Sequence, residues 1–236
     1  MNTNYNQNNM QKKSAIIAGI ALLTMTIAAF FAQGFVHSSL VVSGEAVITL
    51  KNIQSNRLLF DLEIMGWMII IITDLVVSWG FYIFLKPFHQ AYALLGGWFR
   101  LLYTAILSIA VSHLIIASSI VRESLFSKEI NEMAIQVMGS ITAFEAIWSF
   151  GLIIFGLHLI TVGIVAMKTN QIPKIISILV VLAGFSYSLI HVMYSFIPQL
   201  DNVTRFLEMI LMVPMFVGEI GFGIWLLVKG RKLSID

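Results

Sequence analysis

Apolar positions in this chain do not alternate with polar ones. They gather into six long runs parted by short polar stretches. The runs cover residues 14–36, 62–85, 94–121 and 143–167, then one that follows Lys174 and ends at 197, then 205–228. About 20 residues at 1.5 Å rise cross the roughly 30 Å hydrocarbon layer of a bilayer, so each run is long enough to span it. The pattern predicts an all-α membrane protein, a bundle of six transmembrane helices. The first run is too long for the apolar core of a signal peptide, about 7–15 residues, and reads as a span although small residues lie near Ala32.

The breaks carry their own signals. Residues 1–11 are rich in Asn and Gln, so residues 1–13 read as a disordered cytoplasmic tail, ahead of a six-helix domain over 14–230 and a basic cytoplasmic tail over 231–236. Residues 37–57 form a polar connection with Glu45, Lys51 and Arg57. Lys86-Pro87 closes the second span, because a proline disfavours helix at the residue before it. Pro173 suits the first turn of the fifth span, where its missing N–H costs nothing, and Pro198 ends that span. The stretch R-E-S-L-F-S-K-E-I-N-E, 122–132, is the most charged in the chain and reads as a loop or a short surface helix.

Composition agrees with the pattern. The chain is 58% apolar and 11% charged with mean hydropathy +0.91, where a soluble domain is about half apolar and a quarter charged. Zero cysteines exclude disulfides, thiolate metal sites and cysteine nucleophiles, and a net charge of +2 gives no reason to expect a nucleic-acid partner. Six spans put both ends on one face. That face would carry Lys12, Lys13, Lys86, Arg100, Lys168, Lys174, Lys229, Arg231 and Lys232, against Lys51, Arg57, Arg122, Lys128 and Arg205 on the other. The excess of basic residues predicts cytoplasmic termini in a bacterial plasma membrane.

Ionisable residues inside the spans are the candidate chemistry, because each costs several kcal/mol in hydrocarbon unless it finds a partner or water. Counted along their helices, Asp74, Arg100, His158 and Glu219 all fall between about 18 and about 22 Å from the outer surface. With Tyr103 they form the candidate ligand-binding set. An outer polar set comprises Glu63, His113, Glu145, His191 and Glu208. Glu63 and Asp74 are eleven residues apart, as are Glu208 and Glu219, a spacing that returns a helix to nearly the same face and lets both pairs line one polar track. Tyr187, His191 and Tyr194 form a stripe at i, i+4 and i+7, and Pro214 interrupts the sixth span between its acids. The plain alternatives are a structural ion pair for Arg100, headgroup-seeking side chains for the outer set, and helix packing at Gly96-Gly97 and at Gly184 with Ser188.

The strings L-K-P-F-H-Q-A-Y-A-L-L-G-G-W-F-R-L-L-Y, G-L-H-L-I-T-V-G, I-P-K-I-I-S-I-L-V-V-L-A-G-F-S-Y and G-E-I-G-F-G-I-W-L-L-V-K-G occur in this order. Together they resemble the bacterial membrane-protein family called domain of unknown function 4386, over about residues 14 to 230. The resemblance implies a polytopic inner-membrane protein without an assigned activity, and its recurrent polar positions match Asp74, Arg100, His158 and Glu219. Ile176-Ser177 departs from the Leu-Gly that more often follows I-P-K in that pattern.

Three functions fit. The favoured one is binding or movement of a small ligand, ion or proton at the inner set, with Arg100 fixing a carboxylate or anionic group. A non-catalytic accessory or immunity-like protein, with a membrane-protein partner or a second copy of itself, is the alternative. An intramembrane metal-dependent hydrolase is disfavoured, because neither H-E-x-x-H nor G-x-S-x-G is present and one inner His is poor for zinc. No metal and no particular cofactor is indicated; the bilayer is the expected partner, with a small molecule, ion or lipid as ligand. Because the chain lacks cysteine, single cysteines report the layout directly. A thiol reagent added from the cytoplasmic side is expected to label Asp74→Cys or Glu219→Cys, and no labelling of either would leave only a dry ion pair.

Overall fold

The computed structural model describes residues 2–123 and 129–230. Among them are seven helices of ten residues or more and no strand. Helix α1 (Asn2–Ala29) continues through a π-helical segment, Phe30–His37, and a last turn, Ser38–Leu40. Helix α2 (Ala46–Ser55) is short, and α3 (Arg57–Leu85), α4 (Gln90–Glu123), α5 (Ile130–Met167) and α6 (Lys174–Phe196) are long. A 3-10 turn, Pro198–Leu200, leads into α7 (Asp201–Val228). Six helical stretches are long and apolar enough to cross a membrane: Gln7–Leu40, Arg57–Leu85, Gln90–Arg122, Ile130–Met167, Lys174–Phe196 and Pro198–Val228. The six expected spans are therefore present in order. Side chains such as Ile27, Ile135, Ile175 and Met209 stand exposed, as a helix facing lipid requires and a water-facing one does not.

Several boundaries differ from the expectation. The helix starts at Asn2, so it takes in residues 2–13, ahead of the apolar run. Gln11 is buried, with Nε2 donating to the Phe84 carbonyl at 2.9 Å. Once an apolar run has nucleated a helix, each further residue adds a hydrogen bond at small cost, so the polar end extends the span outward. For the same reason α5 begins at Ile130, thirteen residues before the apolar run, and buries Met133, Ala134, Val137 and Ile141. Helix α2 occupies part of the stretch read as a polar connection. Pro173 stands one residue before α6. Helix α7 runs unbroken through Pro214. The basic tail over 231–236 and residues 124–128 of the charged stretch, Lys128 included, lie outside the described residues.

The chain divides into two compact units. One comprises the described parts of Met1–Thr24, Thr73–Thr104 and Ser149–Asp236; the other comprises Met25–Ile72 and the described parts of Ala105–Trp148. In the first unit α5 and α6 approach at backbone distance. A Cβ placed on Gly156 would lie 2.5 Å from the Gly184 carbonyl oxygen and 2.2 Å from Ser188 Oγ, and Ser188 Oγ donates to the Ile153 carbonyl at 3.1 Å. Small residues permit such crossings, which hold helices together in lipid, where water does not drive them together. Gly184 with Ser188 is thus a packing position, as expected. Gly96 and Gly97 are not close-packed, since a Cβ at either meets only ordinary contacts. Their carbonyls do the work instead: Gly97 O accepts from Ser78 Oγ at 2.9 Å.

Gly156→Ala is expected to destabilise the protein by about 1–3 kcal/mol, because neither the facing backbone nor the crossing can yield to the added methyl. Gly139→Ala, where a Cβ meets nothing within 4 Å, is the control, expected to leave stability unchanged or to raise it by up to about 1 kcal/mol. Thermal unfolding in detergent compares the two.

Candidate functional site

The inner site lies in the first unit. Helix α3 supplies Asp74, α4 supplies Arg100 and α5 supplies His158, and all three are fully buried. Arg100 donates from Nε to Asp74 Oδ1 at 2.9 Å and from Nη2 to the same oxygen at 2.5 Å. Its Nη1 lies 3.1 Å from His158 Nε2. His158 Nδ1 lies 2.8 Å from the Gly96 carbonyl oxygen, which can only accept. The proton of the imidazole therefore sits on Nδ1, and Nε2 offers its lone pair to the guanidinium. Histidine here is a neutral acceptor, oriented by one backbone carbonyl on α4.

Aromatic rings close the guanidinium from two directions. The centroid of Phe81 lies 5.8 Å and that of Phe155 5.3 Å from Arg100 Cζ, a geometry that favours a cation through the ring quadrupole. Phe81 also stacks on the His158 ring at 5.8 Å and 14°, and meets Phe222 of α7 edge-on at 5.3 Å. Tyr103 is buried with its ring 5.0 Å from Phe155, and Tyr187 meets Phe155 edge-on at 5.1 Å. Glu219 on α7 is half-buried, and its relation to Arg100 and Asp74 is electrostatic.

The pairing is lopsided. An arginine usually engages a carboxylate as a fork, one N–H to each oxygen. Here two donors converge on Oδ1, while Asp74 Oδ2 is buried with no hydrogen-bond partner among the described residues. A buried acceptor left in that state costs about 1–3 kcal/mol, and more when it carries charge.

The outer residues do not converge on one partner. In the second unit Glu63 and Glu145 both contact the ring of His37, and His113 is half-buried. Also there, Asp61 accepts from Ser118 Oγ at 2.7 Å and pairs with Arg122. In the first unit His191 Nδ1 lies 2.9 Å from Ser149 Oγ, and Tyr194 donates to Glu208 Oε2 at 2.5 Å. The Tyr187, His191 and Tyr194 rings follow one another at 6.3 and 6.2 Å, so the stripe exists. Among the described residues no group of three or more His, Asp or Glu is arranged to hold a metal ion.

Sequence reasoning missed Phe81, Phe155 and the Gly96 carbonyl, none of which differs in sequence from ordinary packing. It also missed His37, assigned to a connection because the apolar run ends at Val36. A histidine one residue past a span, with Gln33 and Gly34 just inside it, was the available signal.

Comparison with known proteins gives a family and leaves the chemistry to the residues. An uncharacterised protein of the archaeon Archaeoglobus fulgidus is 29% identical over 174 residues, covering 73% of this chain and 86% of that protein. The likeness thus reaches an archaeal protein as well. No solved structure matches. A family described as "Domain of unknown function (DUF4386)" matches residues 17–230, nearly the whole chain, and the protein belongs to it.

Proposed function

We propose that this multi-pass membrane protein binds a small cation, a proton, monovalent ion or protonated amine, at the acids Asp74 and Glu219. The observation that carries this reading is the unpartnered Asp74 Oδ2 beside a guanidinium committed to Oδ1. A proton or cation on that oxygen removes the cost of leaving it bare. Two carboxylates against one guanidinium, with His158 neutral, make a cluster one positive charge short. Arg100 is the fixed counter-charge, since a guanidinium does not give up its proton. His158 braces Arg100 from the side away from the acid. Glu219, half-buried on α7, is the acid through which the cation enters. The proposed setting is a plasma membrane with both termini in the cytoplasm, from the distribution of basic residues.

A cation at one hundred times its dissociation constant is expected to raise the unfolding temperature of the purified protein by about 5 °C or more. A panel of Na+, K+, choline and primary amines, together with a pH series, makes the test. Glu219→Gln should remove the shift while leaving the protein folded. No shift with any member of the panel, and none with pH, would sink the reading.

A second reading, an accessory protein in which Arg100 only sets helix register, is favoured by the closing of Phe81, Phe155 and His158 around the guanidinium. The two readings differ in a double variant. Arg100→Gln alone leaves a bare buried carboxylate and is expected to cost about 3–5 kcal/mol. Asp74→Asn with Arg100→Gln should regain much of that stability. A double variant that is stable and has lost the cation response of the unaltered protein supports the cation site; a stable double variant of a protein that shows no such response supports register alone.

A further inference from the structure

In the second unit the π-helical segment Phe30–His37 ends on a buried histidine. A π turn inside an α-helix carries one residue more than the surrounding hydrogen-bond pattern needs, and it turns side chains onto a face that regular winding would not give them; such turns concentrate at functional sites. Here His37 comes to lie between two acids from different helices. Its Nδ1 is 2.7 Å from Glu63 Oε1 on α3, and its Nε2 is 3.2 Å from Glu145 Oε1 on α5. Among the described residues these are the charged or titratable groups that touch it, and the ring of Phe144 lies 5.7 Å away.

The three groups run from the exposed surface to the core. The Glu145 side chain is 50% exposed, that of His37 5% and that of Glu63 0%. Beyond His37, Glu63 Oε2 is buried without a hydrogen-bond partner, and so is Nε1 of Trp67, one helical turn further along α3. Trp67 packs edge-on against Phe144 at 5.2 Å and Trp148 at 4.9 Å. A neutral imidazole has one N–H and cannot donate to two carboxylates. With both contacts made, the trio holds an extra proton, on the ring or on either acid. Those three placements differ only by movement of that proton along two existing hydrogen bonds.

We propose that Glu145, His37 and Glu63 form a proton-transfer site that carries protons between solvent and the buried Glu63. Inward, the O–H bond of protonated Glu145 breaks as Nε2–H forms, giving an imidazolium between two carboxylates. The Nδ1–H bond then breaks as an O–H forms on Glu63 Oε1. One proton has moved from Glu145 to Glu63, and the ring has exchanged its Nδ1–H tautomer for Nε2–H. The reverse pair of steps restores it, so the site loads and unloads without an outside reagent. Imidazole suits this task because both its nitrogens take part, one accepting a proton as the other gives one up. The site is independent of the cation reading for Asp74 and Glu219.

The test is infrared spectroscopy of the full chain in lipid nanodiscs after a rapid acid jump. A protonated-carboxyl band that is missing in Glu63→Gln should grow in the unaltered protein. Loss of a positioned proton carrier slows such a transfer by about 10²-fold, so the band should grow about 10²-fold more slowly in H37Q and also more slowly in E145Q. Growth at the unaltered rate in both variants, or no band sensitive to E63Q, overturns the proposal. If H37Q does not fold, nitrogen NMR of the unaltered protein decides instead. An imidazole signal of His37 that stays the same between about pH 5 and about pH 9 overturns it as well.

Discussion

A guanidinium carried into the middle of an apolar helix has to be matched where it stands, because no water will solvate it there. Arg100 on α4 meets that demand by drawing in Asp74 from α3 and His158 from α5 and by lying between Phe81 and Phe155. Each of these contacts fixes the rotation of one helix about its axis. With 3.6 residues per turn, a slip of one residue swings a side chain by about 100° and takes it out of reach. The register of three helices in this unit therefore depends on a single side chain. The close crossing at Gly156 and Gly184 serves the same end, because it sets α5 against α6 two residues from His158.

The two polar clusters treat the same constraint in different ways, and the difference lies in the base at their centre. Arg100 stays charged under all ordinary conditions, so its neighbours must adapt to it, and one carboxylate oxygen is left bare as a result. His37 has a charge of its own to give up. Flanked by an acid on each nitrogen, it balances its surroundings by moving a proton instead of by holding a position. One centre is suited to remain a fixed counter-charge and the other to exchange protons with its neighbours.

Membership of a family without an assigned activity leaves functional argument to the site itself, since fold alone does not name a reaction. Here the informative features are unsatisfied atoms. Most buried polar groups in folded proteins find a partner. Asp74 Oδ2 and Glu63 Oε2 have none among the described residues, and each belongs to an acid already engaged by a base through its other oxygen.

The six spans, their order and the acid, arginine and histidine buried in them were legible in the residues alone. The free energy of transfer into lipid adds along the chain and needs no knowledge of neighbours. Helix ends were less legible: α1 begins at Asn2 and α5 at Ile130 because a helix continues past the apolar stretch that starts it. Pro214 was expected to break α7, and the helix absorbs it. His37 escaped notice because its burial depends on a π turn and on two acids far away in sequence. The Gly96 carbonyl that orients His158 has no identity in the sequence at all. What each residue prefers as solvent was written in its own chemistry; which atom it meets depended on the distance and rotation between packed helices, and only the tertiary structure decided that.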